Sequence, residues 1–225
     1  MTFAVAALYG AAYLIGLAAF VDAARHRRMA TDGIWALAGA ALIGGLIGAG
    51  LAQLIVADAP GKSILGGIAG GYLTVIAAKR AFGITRPTGD LFAFALSAGE
   101  AVGRIGCFFA GCCFGKPEDG GGSVWQHDAW RYPTQLYLSL CAAITYFVLR
   151  RFAKLDPPEN ATFFLQGTLF CTYRFVIEFF RESTTAVAGL DAAQIACIGG
   201  FAFFAFKFVK VMRSANVRRT ITATT

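Results

Sequence analysis

The sequence predicts an all-α, polytopic membrane protein with seven transmembrane helices, the N-terminus outside and the C-terminus cytoplasmic. Three observations predict it. Of 225 residues, 57% are hydrophobic and only 15% are charged, and the mean hydropathy is +0.61, too apolar for an ordinary soluble domain. The apolar residues fall into seven runs at or near the ~20 residues that a hydrocarbon core requires. The cations sit in the short gaps between those runs. The net charge of +7 therefore reads as membrane topology, and no nucleic-acid partner is expected.

The first run, 3–21, has no basic region before it and is followed by further spans, so it reads as a first helix and not a removed signal peptide. The second covers 34–57. The third, 63–78, is short and carries Gly66, Gly67, Gly70 and Gly71, which suit close helix packing better than lipid contact. The fourth, 90–111, opens on Asp90 and leads into Gly103-Arg104-Ile105-Gly106-Cys107-Phe108-Phe109-Ala110-Gly111-Cys112-Cys113-Phe114-Gly115. There Gly103, Gly106 and Gly111 permit tight helix contact, and Gly115 is expected to end the helix. The fifth run, 134–149, follows Arg131-Tyr132-Pro133; the sixth spans 162–180 and the seventh 190–209. No repeat or low-complexity linker divides the chain, so residues 1–225 are expected to form one membrane domain.

Positive charge sets the orientation. With the N-terminus outside, fourteen of the twenty Lys and Arg residues fall at cytoplasmic ends, among them Arg25, Arg80, Arg150 and Lys210. Only four fall outside: Lys62, Lys116, Arg131 and Arg181. The remaining two, Arg104 and Arg174, lie within spans. This orientation gathers three polar features at the outer leaflet: the end of span four, the start of span five, and the outer half of span six.

Charge inside the hydrocarbon needs a reason. Each mid-membrane charge costs about 3 kcal/mol, and four cost on the order of 10 unless paired or hydrated. Arg104 follows Glu100 by four residues, so the two share a helix face and can pair. Arg174, Glu178 and Arg181 fall at i, i+4 and i+7, a stripe of plus, minus, plus. Two readings remain open on the residues alone. One is a structural ion-pair network tying spans four and six. The other is a polar cavity in which Arg104 and Arg174 bind an anionic head group through their planar forks.

The three thiols of the fourth run admit several roles. Cys107, Cys112 and Cys113, with His127 as a fourth ligand, suggest a soft metal ion, but adjacent Cys112 and Cys113 and the lack of paired C-x-x-C knuckles count against it. No metal and no cofactor are expected. A thiol beside Arg104 is a candidate nucleophile, because the cation favours thiolate; packing is the commoner fate of a membrane cysteine. His26 lies among Arg25, Arg27 and Arg28 and reads as a surface residue. His127 sits in the outer loop, where it is either a general base near neutral pH or an interfacial residue among Trp125, Asp128 and Trp130. Tyr132 and Tyr137 equally suit an interfacial aromatic belt.

Taken together, Gly103-Arg104-Ile105-Gly106-x-Phe108-x-x-Gly111-x-x-x-Gly115, Tyr132-Pro133-Thr134-Gln135-Leu136-Tyr137 and Arg174-Phe175-x-x-Glu178-Phe179-Phe180-Arg181 resemble the prolipoprotein diacylglyceryl transferase family in order and spacing. Tyr9-Gly10, Gly66-Gly67 and Asp90 add weaker support. The resemblance implies a multi-pass enzyme of the bacterial cytoplasmic (inner) membrane. It would move diacylglyceryl from phosphatidylglycerol to a cysteine thiol of a lipoprotein precursor's signal peptide, releasing glycerol phosphate. On the matching positions, Arg104 and Arg174 would hold the phosphate, with Glu178 orienting an arginine. Tyr9, Arg181, Gly115, Gln135 and Tyr137 would contact lipid or substrate. The chain departs from the family pattern at Leu65, where the family has histidine, at Cys107 and Cys112, where it has asparagine and glutamate, at Tyr132 in place of histidine, and at Leu138 in place of an acidic residue. The loop from Lys116 to Arg131 is shorter than the family's outer domain. Cys107, Cys112 and His127 are the candidates to replace the missing polar groups. The alternative is a divergent paralogue, non-catalytic or differently specific, that binds an anionic phospholipid.

Overall fold

The computed structural model describes residues 3–29, 32–57, 64–182 and 188–224. Each apolar run forms a helix: α1 (Phe3–His26), α2 (Asp32–Ala57), α3 (Ile64–Ala81), α4 (Gly89–Phe109), α5 (Thr134–Ala153), α6 (Ala161–Glu178) and α7 (Ala192–Thr224). Between α4 and α5 lies a hairpin, β1 (Val124–Gln126) and β2 (Ala129–Arg131). Five helical segments are long and apolar enough to cross a membrane: Phe3–His26, Gly33–Leu51, Gly89–Phe109, Thr134–Ala153 and Ala192–Ala215. The other two of the seven predicted spans, α3 and α6, fall short of that measure. α3 closes on Lys79 and Arg80, and α6 carries Arg174 and Glu178. Lys62, counted above on the outer side, lies outside the described residues.

The chain gathers into two compact units, Phe20–Pro87 and the remainder, Met1–Ala19 with Thr88–Thr225. In the smaller unit, α2 and α3 pack with almost no side chain between them. A Cβ on Gly48 would lie 2.3 Å from the Gly66 carbonyl oxygen, and one on Gly70 would lie 2.3 Å from that of Gly44. Thr74 Oγ1 donates across the contact to the Ala40 carbonyl at 2.7 Å. Lipid tails supply no hydrophobic drive for such association, so close backbone approach and the interhelical hydrogen bond must supply it. Gly70→Leu is therefore expected to lower stability in detergent unfolding by about 1–3 kcal/mol or more, the cost typical of overpacking, because the clash is with backbone.

In the larger unit, small residues likewise let α1 approach α4. A Cβ on Gly16 would lie 3.1 Å from the Ala95 carbonyl oxygen, and one on Gly99 would lie 3.3 Å from that of Ala12. The buried Asp90 at the start of α4 accepts from the backbone N–H groups of Asn160 and Phe163, each at 3.0 Å. It thereby caps the N-terminus of α6, whose own Asn160 makes no side-chain cap. A helix start leaves N–H groups unsatisfied and favours negative charge, so one carboxylate answers both needs. Asp90→Ala is expected to cost about 1–3 kcal/mol in detergent unfolding, with Asp90→Asn costing less. α7 is capped from within: Asp191 Oδ1 accepts from Gln194 N at 2.7 Å, and Gln194 Oε1 accepts from Asp191 N at 3.0 Å, a reciprocal capping box.

α4 ends at Phe109, six residues before Gly115. Its last turn closes at Gly111, which has φ +66, with Cys112 N donating to Cys107 O at 3.2 Å. Only glycine takes that left-handed conformation without strain. Gly115 has another task. Its backbone passes so near Tyr132 and Phe180 that a Cβ would lie 2.4 Å and 2.8 Å from their carbonyl oxygens. Gly115 N donates to Tyr132 O, and Lys116 N to Phe180 O, which ties the loop after α4 to both the start of α5 and the end of α6.

Candidate active site

Four segments of the larger unit converge at the ends of α4 and α6. On α4, Arg104 Nε and Nη2 donate to Glu100 Oε1 at 3.2 and 3.1 Å, the pairing expected from their spacing. Glu100 has a second partner: Tyr173 Oη on α6 donates to Oε2 at 2.6 Å. The carboxylate is thus shared between a guanidinium of its own helix and a phenol of the neighbouring one. On α6, Glu178 pairs with Arg174 and with Arg181, the latter at 3.3 Å, so the expected stripe is a connected ion-pair row. Asp191 adjoins Glu178, and Arg174 lies within electrostatic reach of both Arg104 and Arg181. Three guanidiniums thus share one region, each fixed by a carboxylate. Arg181 Nε is buried with no hydrogen-bond partner, a donor left available within that group.

The loop after α4 is held as firmly as the helices. His127 Nε2 bonds the Gly111 carbonyl at 2.6 Å, Gln135 Nε2 donates to Cys112 O at 2.8 Å, and Thr134 Oγ1 donates to Cys113 O at 2.9 Å. Successive carbonyls are pinned by side chains from the hairpin and from α5. The hairpin itself is a two-residue turn with positive φ at His127 and Asp128, the twist-matching geometry for such connections. The Trp125 and Trp130 rings face each other across its strands at 5.8 Å. Arg131 fastens it to the rest, donating to Gln126 O at 3.1 Å, Gly115 O at 3.2 Å and Glu182 Oε2 at 2.5 Å, with its guanidinium 4.6 Å from the Phe114 ring centre.

These contacts decide how the sequence candidates sit. His127 commits Nε2 as a donor to a carbonyl and lays its ring on Phe114 at 4.3 Å. Gln135 is fully buried, and its donor goes to the cysteine loop and to Gln126 Oε1. Tyr9 lies against Gly106 and donates to Cys107 Sγ at 3.4 Å. Tyr137 is half-buried on α5. Leu65 falls on α3, in the smaller unit.

The thiols differ among themselves. The Sγ atoms of Cys107, Cys112 and Cys113 all lie within 4.8 Å of one another, and none forms a disulfide. Cys113 is brought down to about 5, first by the hydrogen bond from Cys107 and then by Arg181 and Arg104, against the opposing effect of burial. Cys112 is pushed up by burial and by the charge of Cys113. Cys113, the thiol most at ease as thiolate, is thus a different one from the two singled out in the sequence. Neither Tyr173 nor Thr134 carried any local signal, because each contact reaches a partner at least twenty residues away in the chain.

A family model described as prolipoprotein diacylglyceryl transferase matches residues 2–210. The phosphatidylglycerol–prolipoprotein diacylglyceryl transferase of Clostridium tetani is 28% identical over 199 residues, covering 77% of this chain and 80% of the relative. That of Methylococcus capsulatus is 29% identical over 224 residues, covering 84% and 85%, and that of Geobacter sulfurreducens is 28% identical over 205 residues, covering 77% of each. The match takes in α1, α4, α5 and α6 and every polar residue described above, so this chain belongs to the prolipoprotein diacylglyceryl transferase family.

Proposed function

We propose that the protein transfers a diacylglyceryl group from phosphatidylglycerol to the thiol of a lipoprotein precursor's lipobox cysteine, at the outer leaflet of the bacterial cytoplasmic membrane. The names of its relatives support the reaction. The observation that carries it to particular residues is the grouping of Arg104, Arg174 and Arg181, braced by Glu100 and Glu178. The reaction breaks the bond between a glyceryl carbon and a phosphate oxygen, forms a carbon–sulfur bond in its place, and releases glycerol phosphate. Negative charge builds on the departing phosphate, and oriented cations stabilise that charge without reorganising. Arg104 and Arg174 hold the phosphate, and the unpartnered Nε of Arg181 supplies a further donor. Glu178 positions its two arginines, and Tyr9 contacts lipid or the acceptor.

The topology proposed with it is a single domain of seven spans, N-terminus outside. It is supported by the fourteen-to-four division of cations and by the five strongly apolar helices. In this arrangement α3 and α6 are also spans, α3 packing its glycines closely against α2 and α6 keeping Arg174 and Glu178 buried as an ion pair. Purified protein given labelled phosphatidylglycerol and a peptide containing the lipobox cysteine is expected to yield a thioether-linked diacylglyceryl peptide. Lipid bound with no thioether formed would sink the transferase reading and leave a phospholipid-binding paralogue.

A further inference from the structure

The family reaction gives no reason for three thiols at one point. Adjacent cysteines ordinarily point apart, and that adjacency argues in the sequence against a shared ion. The fold removes the objection. Cys113 has φ +61, two residues after the left-handed Gly111, and this double reversal accompanies the convergence of the neighbouring side chains on Cys107, all three Sγ within 4.8 Å of one another. A non-glycine residue held in that region stores strain that its surroundings must impose. Here the imposing contacts are the bonds to the carbonyls of Gly111, Cys112 and Cys113 from His127, Gln135 and Thr134.

We propose that Cys107, Cys112 and Cys113 form a three-thiolate site for a thiophilic divalent cation, zinc, with its fourth position open. A zinc–sulfur bond of about 2.3 Å puts tetrahedral sulfurs roughly 3.8 Å apart, inside the 4.8 Å within which the three Sγ atoms lie. Three sulfur ligands exclude magnesium and calcium, which require oxygen. Three thiolates around a dication leave one negative charge, and Arg104 and Arg181 stand close enough to offset it. Tyr9 Oη donates to Cys107 Sγ at 3.4 Å, the outer-shell bond that orients a metal ligand. Each thiol entering the shell gives its proton to solvent.

Three protein ligands and an open position are the arrangement of catalytic zinc, not of a closed structural site. This gives the ion a use that rests on the transferase reading above. The acceptor cysteine, bound at the open position, loses its proton to water and keeps the sulfur electron pair that attacks the glyceryl carbon. No histidine is then needed where Leu65 stands.

The test uses the reduced, detergent-solubilised full chain, stripped of metal and titrated with cobalt(II). The expected result is one cobalt per chain with thiolate-to-metal charge transfer and intense tetrahedral d–d bands, displaced by zinc. Cys107→Ser and Cys112→Ser are expected to remove the charge transfer, Tyr9→Phe to weaken binding about 10-fold, and Cys141→Ser to change nothing. Because a variant can fail to fold, alkylation of the wild type gives a second reading: zinc is expected to protect these three thiols and not Cys141. No cobalt retained by the reduced protein, equal retention by Cys112→Ser, or a disulfide that forms in place of metal uptake would overturn the site. A lipobox peptide is expected to shift the d–d bands, and its serine counterpart not; identical spectra overturn the open position. Thioether product is assayed separately, so product without metal defeats this proposal alone, and a cobalt site without product defeats the transferase reading alone.

Discussion

Arg104→Ala is expected to lower turnover of phosphatidylglycerol into thioether product on the order of 10²–10³-fold, the loss seen when one preorganised donor to a developing anion is removed. Arg104 is fixed by two hydrogen bonds to Glu100, and Glu100 by Tyr173. Its fork is therefore set before lipid arrives, and little entropy is lost on binding. Arg104→Lys keeps the charge and loses the fork, so an intermediate rate is expected. Tyr173→Phe leaves the guanidinium in place but loosens its carboxylate, so its effect should be the smallest of the three. A titration with phosphatidylglycerol separates the possibilities. Loss of a phosphate ligand that acts on the leaving group lowers kcat. If Arg104 merely ties α4 to α6, the thermal midpoint falls and kcat per folded molecule does not, which would remove Arg104 from the chemistry.

The features legible in the sequence are those written within a turn or two of helix. Glu100–Arg104 and the Arg174, Glu178, Arg181 row follow from spacing alone, because i, i+3 and i+4 positions share a face. The glycines of α3 announce close packing, since nothing else favours so many in an apolar run. What escaped depends on the chain returning. Asp90 caps a helix about seventy residues away, and Tyr173 reaches Glu100 across a similar distance. The cysteine loop escaped for a different reason. Its convergence is a backbone property, positive φ at Cys113, and composition holds no trace of a left-handed non-glycine residue. The hairpin's turn residues, His127 and Asp128, also take positive φ without the usual Asn-Gly signature, so a folded platform reads in sequence as a short loop.

Glu178→Leu is expected to be the most destabilising single change in the site, at about 3–5 kcal/mol in detergent unfolding, because it leaves buried charge without its partner. The cost is asymmetric. Removing Glu178 strands Arg174 and Arg181 together, two guanidiniums already within mutual repulsion. Arg174→Met leaves Glu178 still paired with Arg181, so a smaller loss is expected. The double variant Arg174→Met with Glu178→Leu decides why the charges are there. Apolar residues of similar volume commonly replace a buried ion pair with no loss of stability, so the double variant should recover the share of the Glu178→Leu loss that comes from stranding Arg174, leaving only that of the more exposed Arg181, a coupling outside additivity. Its turnover should remain at the level of Arg174→Met or below. Recovery of both stability and turnover would mean that the α6 row only holds helices together. Recovery of stability alone would mean that the membrane tolerates these charges for the sake of the phosphate they hold, since packing alone would be served as well by methionine and leucine.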